Sequence, residues 1–115
     1  MTVSDVAIDT LYIKLKTDAE RNGYHLGPDI EFTKALIKGL LINEKRYGYP
    51  ACPCRLAAGD REKDRDIICP CVYSKEDIKE YGSCYCNLYV SREWNEDKIP
   101  HAYVPERRPP EKMTY

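Results

Sequence analysis

Apolar side chains recur at Val6, Ile8, Leu11, Tyr12, Leu15 and Ala19, with lysines and acids between them. That spacing keeps one face of a helix apolar and predicts a helix over 4–21, with Ser4 as its N-cap. The run "RNGY" at 21–24 supplies the stop. A second helix is predicted from about Asp29 to Tyr47, because Pro28 and Asp29 form a start signal and Phe32, Leu36, Ile37, Leu40 and Leu41 make a broad apolar stripe. Gly48 and Pro50 end it. The stripes through Leu11, Leu15, Leu36 and Leu40 read as core.

Farther along, the periodicity shortens. "RLAAGDREKDRDII" at 55–68 predicts a short helix around 60–67 with a charged outer face. "YSKEDIKEYGS" at 73–83 places Ser74 three residues before Asp77 and then reaches Gly82, a cap-to-stop pattern for two helical turns. After Trp94 the segment "NEDKIPHAYVPERRPPEKMTY" carries four prolines and no helical stripe, so it reads as an extended tail. The expected fold is mostly α, with a domain over 1–95 and a proline-rich C-terminal arm over 96–115.

Composition narrows the function classes. A chain of 115 residues with 43% hydrophobic content is enough for one domain with a modest core. Its 18 Lys and Arg against 19 Asp and Glu give a net charge of -1, which provides no global field for nucleic acid or an anionic membrane. A basic docking surface would have to be local. Arg55, Arg61, Lys63 and Arg65 could meet an acidic protein, yet Asp60, Glu62, Asp64 and Asp66 interleave with them, and a solvated charged helix accounts for the segment equally well. The first residues mix charges into every apolar stretch, which predicts neither a signal peptide nor a spanning helix and places the protein in a cytoplasm. There thiols stay reduced unless a metal, a cluster or redox chemistry uses them. His25 and His101 stand alone and read as surface or capping residues.

All six cysteines fall in three Cys-X-Cys pairs, "ACPCR" at 51–55, "ICPCV" at 68–72 and "SCYCN" at 83–87. Each sits at a break between predicted helices. In an extended segment, residues i and i+2 point to one side about 6 to 7 Å apart. Two thiolates on one zinc ion need to lie within about 4 Å, so a relaxed pair suits two different metal atoms, although a curled segment can chelate one ion. Pro53 and Pro70 stiffen the first two pairs. A cubane iron–sulfur cluster takes four cysteines, leaving two as structural thiols, a lone disulfide or a redox dithiol.

"CPCR" at 52–55, "CPCV" at 69–72 and "CYCNLYV" at 84–90, preceded by "KRYGYPA", resemble the catalytic subunit of ferredoxin:thioredoxin reductase. The resemblance covers roughly residues 5–94. It implies a small helical fold wrapped around one 4Fe-4S cluster, ligated by Cys52, Cys69, Cys71 and Cys84, with Cys54 and Cys86 forming a redox-active disulfide beside it. It further implies ferredoxin as electron donor, a thioredoxin or thioredoxin-like protein as acceptor, and room for a second small subunit. In the implied mechanism Cys54 attacks the target disulfide and Cys86 resolves the mixed disulfide. Where plant and cyanobacterial members carry His in the third pair, this sequence has Tyr85, a hydrogen-bond donor but a poor proton acceptor at neutral pH. The gap from Cys71 to Cys84 is also longer, and both departures point to an archaeal or anaerobic-bacterial relative. Two other readings use the same cysteines: a 4Fe-4S electron carrier without reductase activity, and a zinc-binding module with two idle thiols.

Overall fold

The computed structural model describes residues 3–113. Ser4 caps helix α1 (Asp5–Arg21) as its position predicts, its hydroxyl accepting from the Ala7 N–H at 3.1 Å. Asp29 caps α2 (Ile30–Tyr47) in the same way, accepting from the Phe32 N–H at 3.1 Å. Gly48 after α2 and Gly82 after α3 (Ser74–Tyr81) take left-handed conformations at φ 85° and 81°, where a side chain would be strained. A fourth helix of one turn, α4 (Arg92–Asn95), follows Ser91, whose hydroxyl accepts from the Trp94 N–H. Among the described residues the domain is thus mostly helical, with two-residue strands β1 (His25–Leu26) and β2 (Tyr89–Val90) paired antiparallel, His25 opposite Val90 and Leu26 opposite Tyr89.

The core lies between α1, α2 and the cysteine-bearing loops, and includes Ile8, Ala19, Leu36, Ile37, Leu40, Ile67, Ile78 and Leu88. Two positions of the predicted stripes face outward: Val6 and Phe32 are exposed, because each lies at the margin of an apolar face wider than the surface that α1 and α2 bury. The helix predicted around 60–67 does not form. In its place are turns and a three-residue 3-10 segment, Arg65–Ile67. Arg61, Glu62, Lys63 and Arg65 stay exposed as a charged face, but Asp64 and Asp66 point inward. Asp64 is fully buried and accepts from the Ala58 and Gly59 N–H groups, both at 3.0 Å, and from the Tyr49 hydroxyl at 2.5 Å. Nor is Ser74 the cap of α3. It is the first helical residue, and its hydroxyl donates to the Cys71 carbonyl at 2.8 Å.

Among the described residues, the arm beyond α4 has no regular structure until a 3-10 turn at Pro110–Met113, but it is anchored at several points between His101 and Arg108. The His101 ring stacks on Trp94 with centroids 3.6 Å apart, and Val104 is buried. Three consecutive residues then grip three separate segments: Glu106 pairs with Arg55, Arg107 with Asp77 and Glu80 of α3, and Arg108 with Asp66. Arg108 is 2% exposed, so its pair with Asp66 is shielded from the solvent that weakens surface ion pairs.

Gly39, in the middle of α2, marks where this helix meets the first cysteine pair. A Cβ there would lie 2.7 Å from Cβ of Pro53, a ring atom that cannot swing aside. Alanine favours a helix interior over glycine by about 0.5–1 kcal/mol, but overpacking costs about 1–3 kcal/mol. Gly39→Ala is therefore expected to destabilise the protein by about 1 kcal/mol in denaturant unfolding. A stabilised Gly39→Ala protein would show that α2 does not approach Pro53 this closely.

Candidate functional site

Short backbone ladders gather the three cysteine pairs. Ala51 and Ile68 form an antiparallel bridge, in which the Cys52 N–H donates to Ile67 O at 2.8 Å and the Cys69 N–H to Pro50 O at 2.9 Å. The first and second pairs therefore lie abreast. A second bridge, Ser83 with Val90, places the third pair in the loop leading into β2, with the Cys84 N–H donating to Tyr89 O at 2.9 Å.

The first and third pairs are curled, unlike the extended presentation that their i, i+2 spacing suggests. The Arg55 N–H donates to Cys52 O at 3.2 Å and the Asn87 N–H to Cys84 O at 2.9 Å, so each pair occupies a tight turn. Pro53 sits at the second turn position, where its fixed φ is favourable. Asn87 leaves the other turn at φ 61°, with its side chain accepting from the Ser83 hydroxyl at 2.6 Å.

Cys52, Cys69, Cys71, Cys84 and Cys86 line one small cavity closed by Pro53, Pro70, Leu88 and Tyr89. Cys54 stands outside it and is exposed. The Cys52 and Cys86 sulfurs are 2.8 Å apart. Hydrogen bonds from Cys52 and Cys86 hold the Cys54 thiol far below its ordinary range, and the reciprocal contacts with Cys52 and Cys54 push Cys86 up. Burial pushes Cys69, Cys71 and Cys84 up, Cys84 to about 11. The Cys84 sulfur accepts from the Tyr89 N–H at 3.3 Å.

Arg55 is the residue of this site that the pattern of charges conceals. Grouped by sequence with Arg61, Lys63 and Arg65 as a local basic surface, it is instead buried, its side chain 2% exposed. Its Nη1 lies 3.4 Å from the Cys71 sulfur and 3.9 Å from the Cys52 sulfur. Tyr85 packs its ring against the guanidinium face, 4.5 Å from centroid to Cζ. Tyr85 thus belongs to the shell around the cysteines, and burial, with Glu106 and Tyr103 nearby, raises its phenol. The adjacent motif "CPCR" holds the only sequence signal for Arg55, its fixed place one residue after Cys54.

Five soft sulfur donors around one small cavity, with a cation as the nearest charge, make a donor set suited to a thiolate-ligated iron–sulfur cluster. A Cys52, Cys69, Cys71 and Cys84 ligand set would leave Cys86 at the cavity wall and Cys54 outside. Among the described residues, no group of three or more His, Cys, Asp or Glu stands at distances that close around a single metal ion. No helix among them is long and apolar enough to cross a membrane.

Residues 2–106 match the family described as ferredoxin thioredoxin reductase catalytic beta chain, a match that runs into the arm as far as Glu106. The chain is also similar to the chloroplastic ferredoxin-thioredoxin reductase catalytic chain of Arabidopsis thaliana, 32% identical over 78 residues that cover 64% of this chain and 49% of that one. The chain thus matches about half the length of this curated relative.

Proposed function

The chain belongs to the ferredoxin thioredoxin reductase catalytic beta chain family, and on that premise we propose that it is an iron–sulfur disulfide reductase of the reducing cytoplasm. Its donor is a ferredoxin and its acceptor a thioredoxin or thioredoxin-like protein, with room for a second small subunit. The observation that carries this reading is the sorting of the six cysteines: five converge on one cavity and one stands exposed beside it. A zinc module has no use for that asymmetry, and an electron carrier needs no exposed thiol.

Cys52, Cys69, Cys71 and Cys84 would hold a 4Fe-4S cluster, which when bound supplies electrons one at a time to a reaction that needs two. The remaining chemistry belongs to Cys54 and Cys86. In the reduced dithiol, Cys54 as thiolate attacks one sulfur of the target disulfide, forming a mixed disulfide and releasing the other target sulfur as a thiolate that takes up a proton. Cys86, after losing its proton, attacks the Cys54 sulfur, and the Cys54–Cys86 disulfide forms as the target leaves with both thiols reduced. Two successive single electrons, with two protons taken up from solvent, then restore the dithiol. Arg55 and Tyr85 border this exchange without supplying a redox group.

Tyr85 contributes its ring to that border. Tyr85→Phe keeps the packing against Arg55 and loses only a hydroxyl, so it is expected to retain iron and lose at most a few-fold in rate, the scale of a neutral hydrogen bond of about 1 kcal/mol. A loss of about 100-fold with iron intact would instead make the phenol a general acid.

The proposed function is tested by iron, sulfide and thiol counts on anaerobically purified protein. It predicts iron and acid-labile sulfide in the ratio of one 4Fe-4S cluster, and two thiols that alkylate only after reduction. Zinc without sulfide, or thiols that alkylate equally with and without reduction, would reject it.

A further inference from the structure

Glu106 and Arg55 are 51 positions apart in sequence, and their contact joins the C-terminal arm to the loop of the first cysteine pair. Arg55 presents Nε and Nη2 to the Glu106 carboxylate, Nε at 3.1 and 2.9 Å from its two oxygens and Nη2 at 2.8 Å from Oε1. A two-pronged pair of this kind fixes the guanidinium in its own plane. Tyr85 at 4.5 Å and Tyr73 at 5.4 Å cover its face. One edge remains, and it carries Nη1 toward the Cys71 and Cys52 sulfurs at 3.4 and 3.9 Å. Glu106 is fixed in turn: its Oε1 accepts from the Arg108 N–H at 2.8 Å, and Arg107 and Arg108 hold the arm to Asp77 and Asp66.

We infer that Arg55 is a positioning residue that tunes the redox centre, donating an N–H to the Cys71 sulfur, and that the C-terminal arm aims it through Glu106. This rests on the iron–sulfur reading above. An N–H directed at a sulfur stabilises the state carrying more negative charge, and hydrogen bonds to ligating sulfurs are among the groups that set a cluster's potential. Lysine at position 55 would keep the charge but lose the fork that directs it.

A purely structural ion pair between arm and body predicts the opposite sign for one variant. If Glu106 were only a nearby negative charge, its removal would raise the reduction potential of the centre. If it aims Arg55, its removal frees the guanidinium to turn toward solvent, and the potential falls as it does when Arg55 itself is removed. The test is a spectroscopic redox titration of cluster-loaded wild type, Arg55→Gln, Arg55→Lys, Glu106→Ala, Glu106→Gln and the Arg55→Gln/Glu106→Ala double variant. Arg55→Gln and Glu106→Ala are each expected to lower the reduced-to-oxidised ratio about tenfold at fixed poise, equivalent to about 59 mV for one electron. Arg55→Lys should fall between them and wild type, and the double variant should fall no further than Arg55→Gln. Should Glu106→Ala fail to fold, the isosteric Glu106→Gln carries the same sign. A potential that rises or stays fixed when Glu106 is replaced, or one indifferent to Arg55→Gln, overturns the inference while leaving the reductase reading intact. A wild-type protein without iron and sulfide overturns both.

Discussion

A Cys69→Ser protein is expected to lose its iron and sulfide together with most of its cooperative folding. The reason lies in how little else orders the middle of the chain. Between the end of α2 at Tyr47 and the start of α3 at Ser74, the regular structure consists of one 3-10 turn and one bridge, and Cys69 lies beside that bridge with its N–H bonded to Pro50 O. Its side chain faces the cavity shared by four other cysteines, where burial already disfavours a free thiolate. A cluster bound there would tie three loops together, and in a domain of this size a metal centre supplies much of the folding free energy. Serine keeps the shape but is a far weaker ligand for iron and leaves a hydroxyl in an apolar site. Cys54→Ser is the control, since Cys54 stands outside the cavity and its replacement should leave the iron in place. The checks are iron and sulfide content and a thermal melt by circular dichroism; full iron retention in Cys69→Ser would remove it from the ligand set.

The second large effect separates Cys54 from Cys86. Cys54 is exposed, whereas Cys86 is 6% exposed and packed 2.8 Å from Cys52. A protein target can reach the first and not the second. Cys86→Ser should therefore accumulate target on Cys54 as a mixed disulfide, because the resolving sulfur is missing, while Cys54→Ser should accumulate none. Non-reducing gel electrophoresis and mass mapping after incubation with an oxidised thioredoxin read the difference. Equal trapping by the two variants would show that attack and resolution are not divided between these residues.

Much of this arrangement is legible in the sequence where local signals act alone. Ser4, Asp29, Gly48 and Gly82 cap or end helices at their own positions, and local hydrogen bonding or φ decides each of them. The six cysteines are visible as a set for the same reason. What the sequence hides depends on partners far along the chain. In "DREKDRD" the alternating charges have the look of a solvated helix, and most of them are solvated, but Asp64 is taken up by Tyr49 and two backbone N–H groups and Asp66 by Tyr73 and Arg108, so these two acids turn inward. Arg55 is concealed by Glu106, and strands of two residues carry no periodicity at all. The curled cysteine turns are intermediate: Pro53 hints at one, whereas the left-handed Asn87 that closes the other has no distinctive pattern around it.

The central claim is that electrons arriving singly leave as a reduced disulfide, and the direct measurement is an anaerobic assay of thioredoxin reduction with photochemically reduced ferredoxin. The protein should reduce oxidised thioredoxin in proportion to its own concentration. Prior reduction and alkylation should abolish the activity with the iron content unchanged, and Cys54→Ser should be inactive. Ferredoxin oxidation without any thioredoxin thiols appearing, or full activity surviving alkylation at Cys54, would contradict the account.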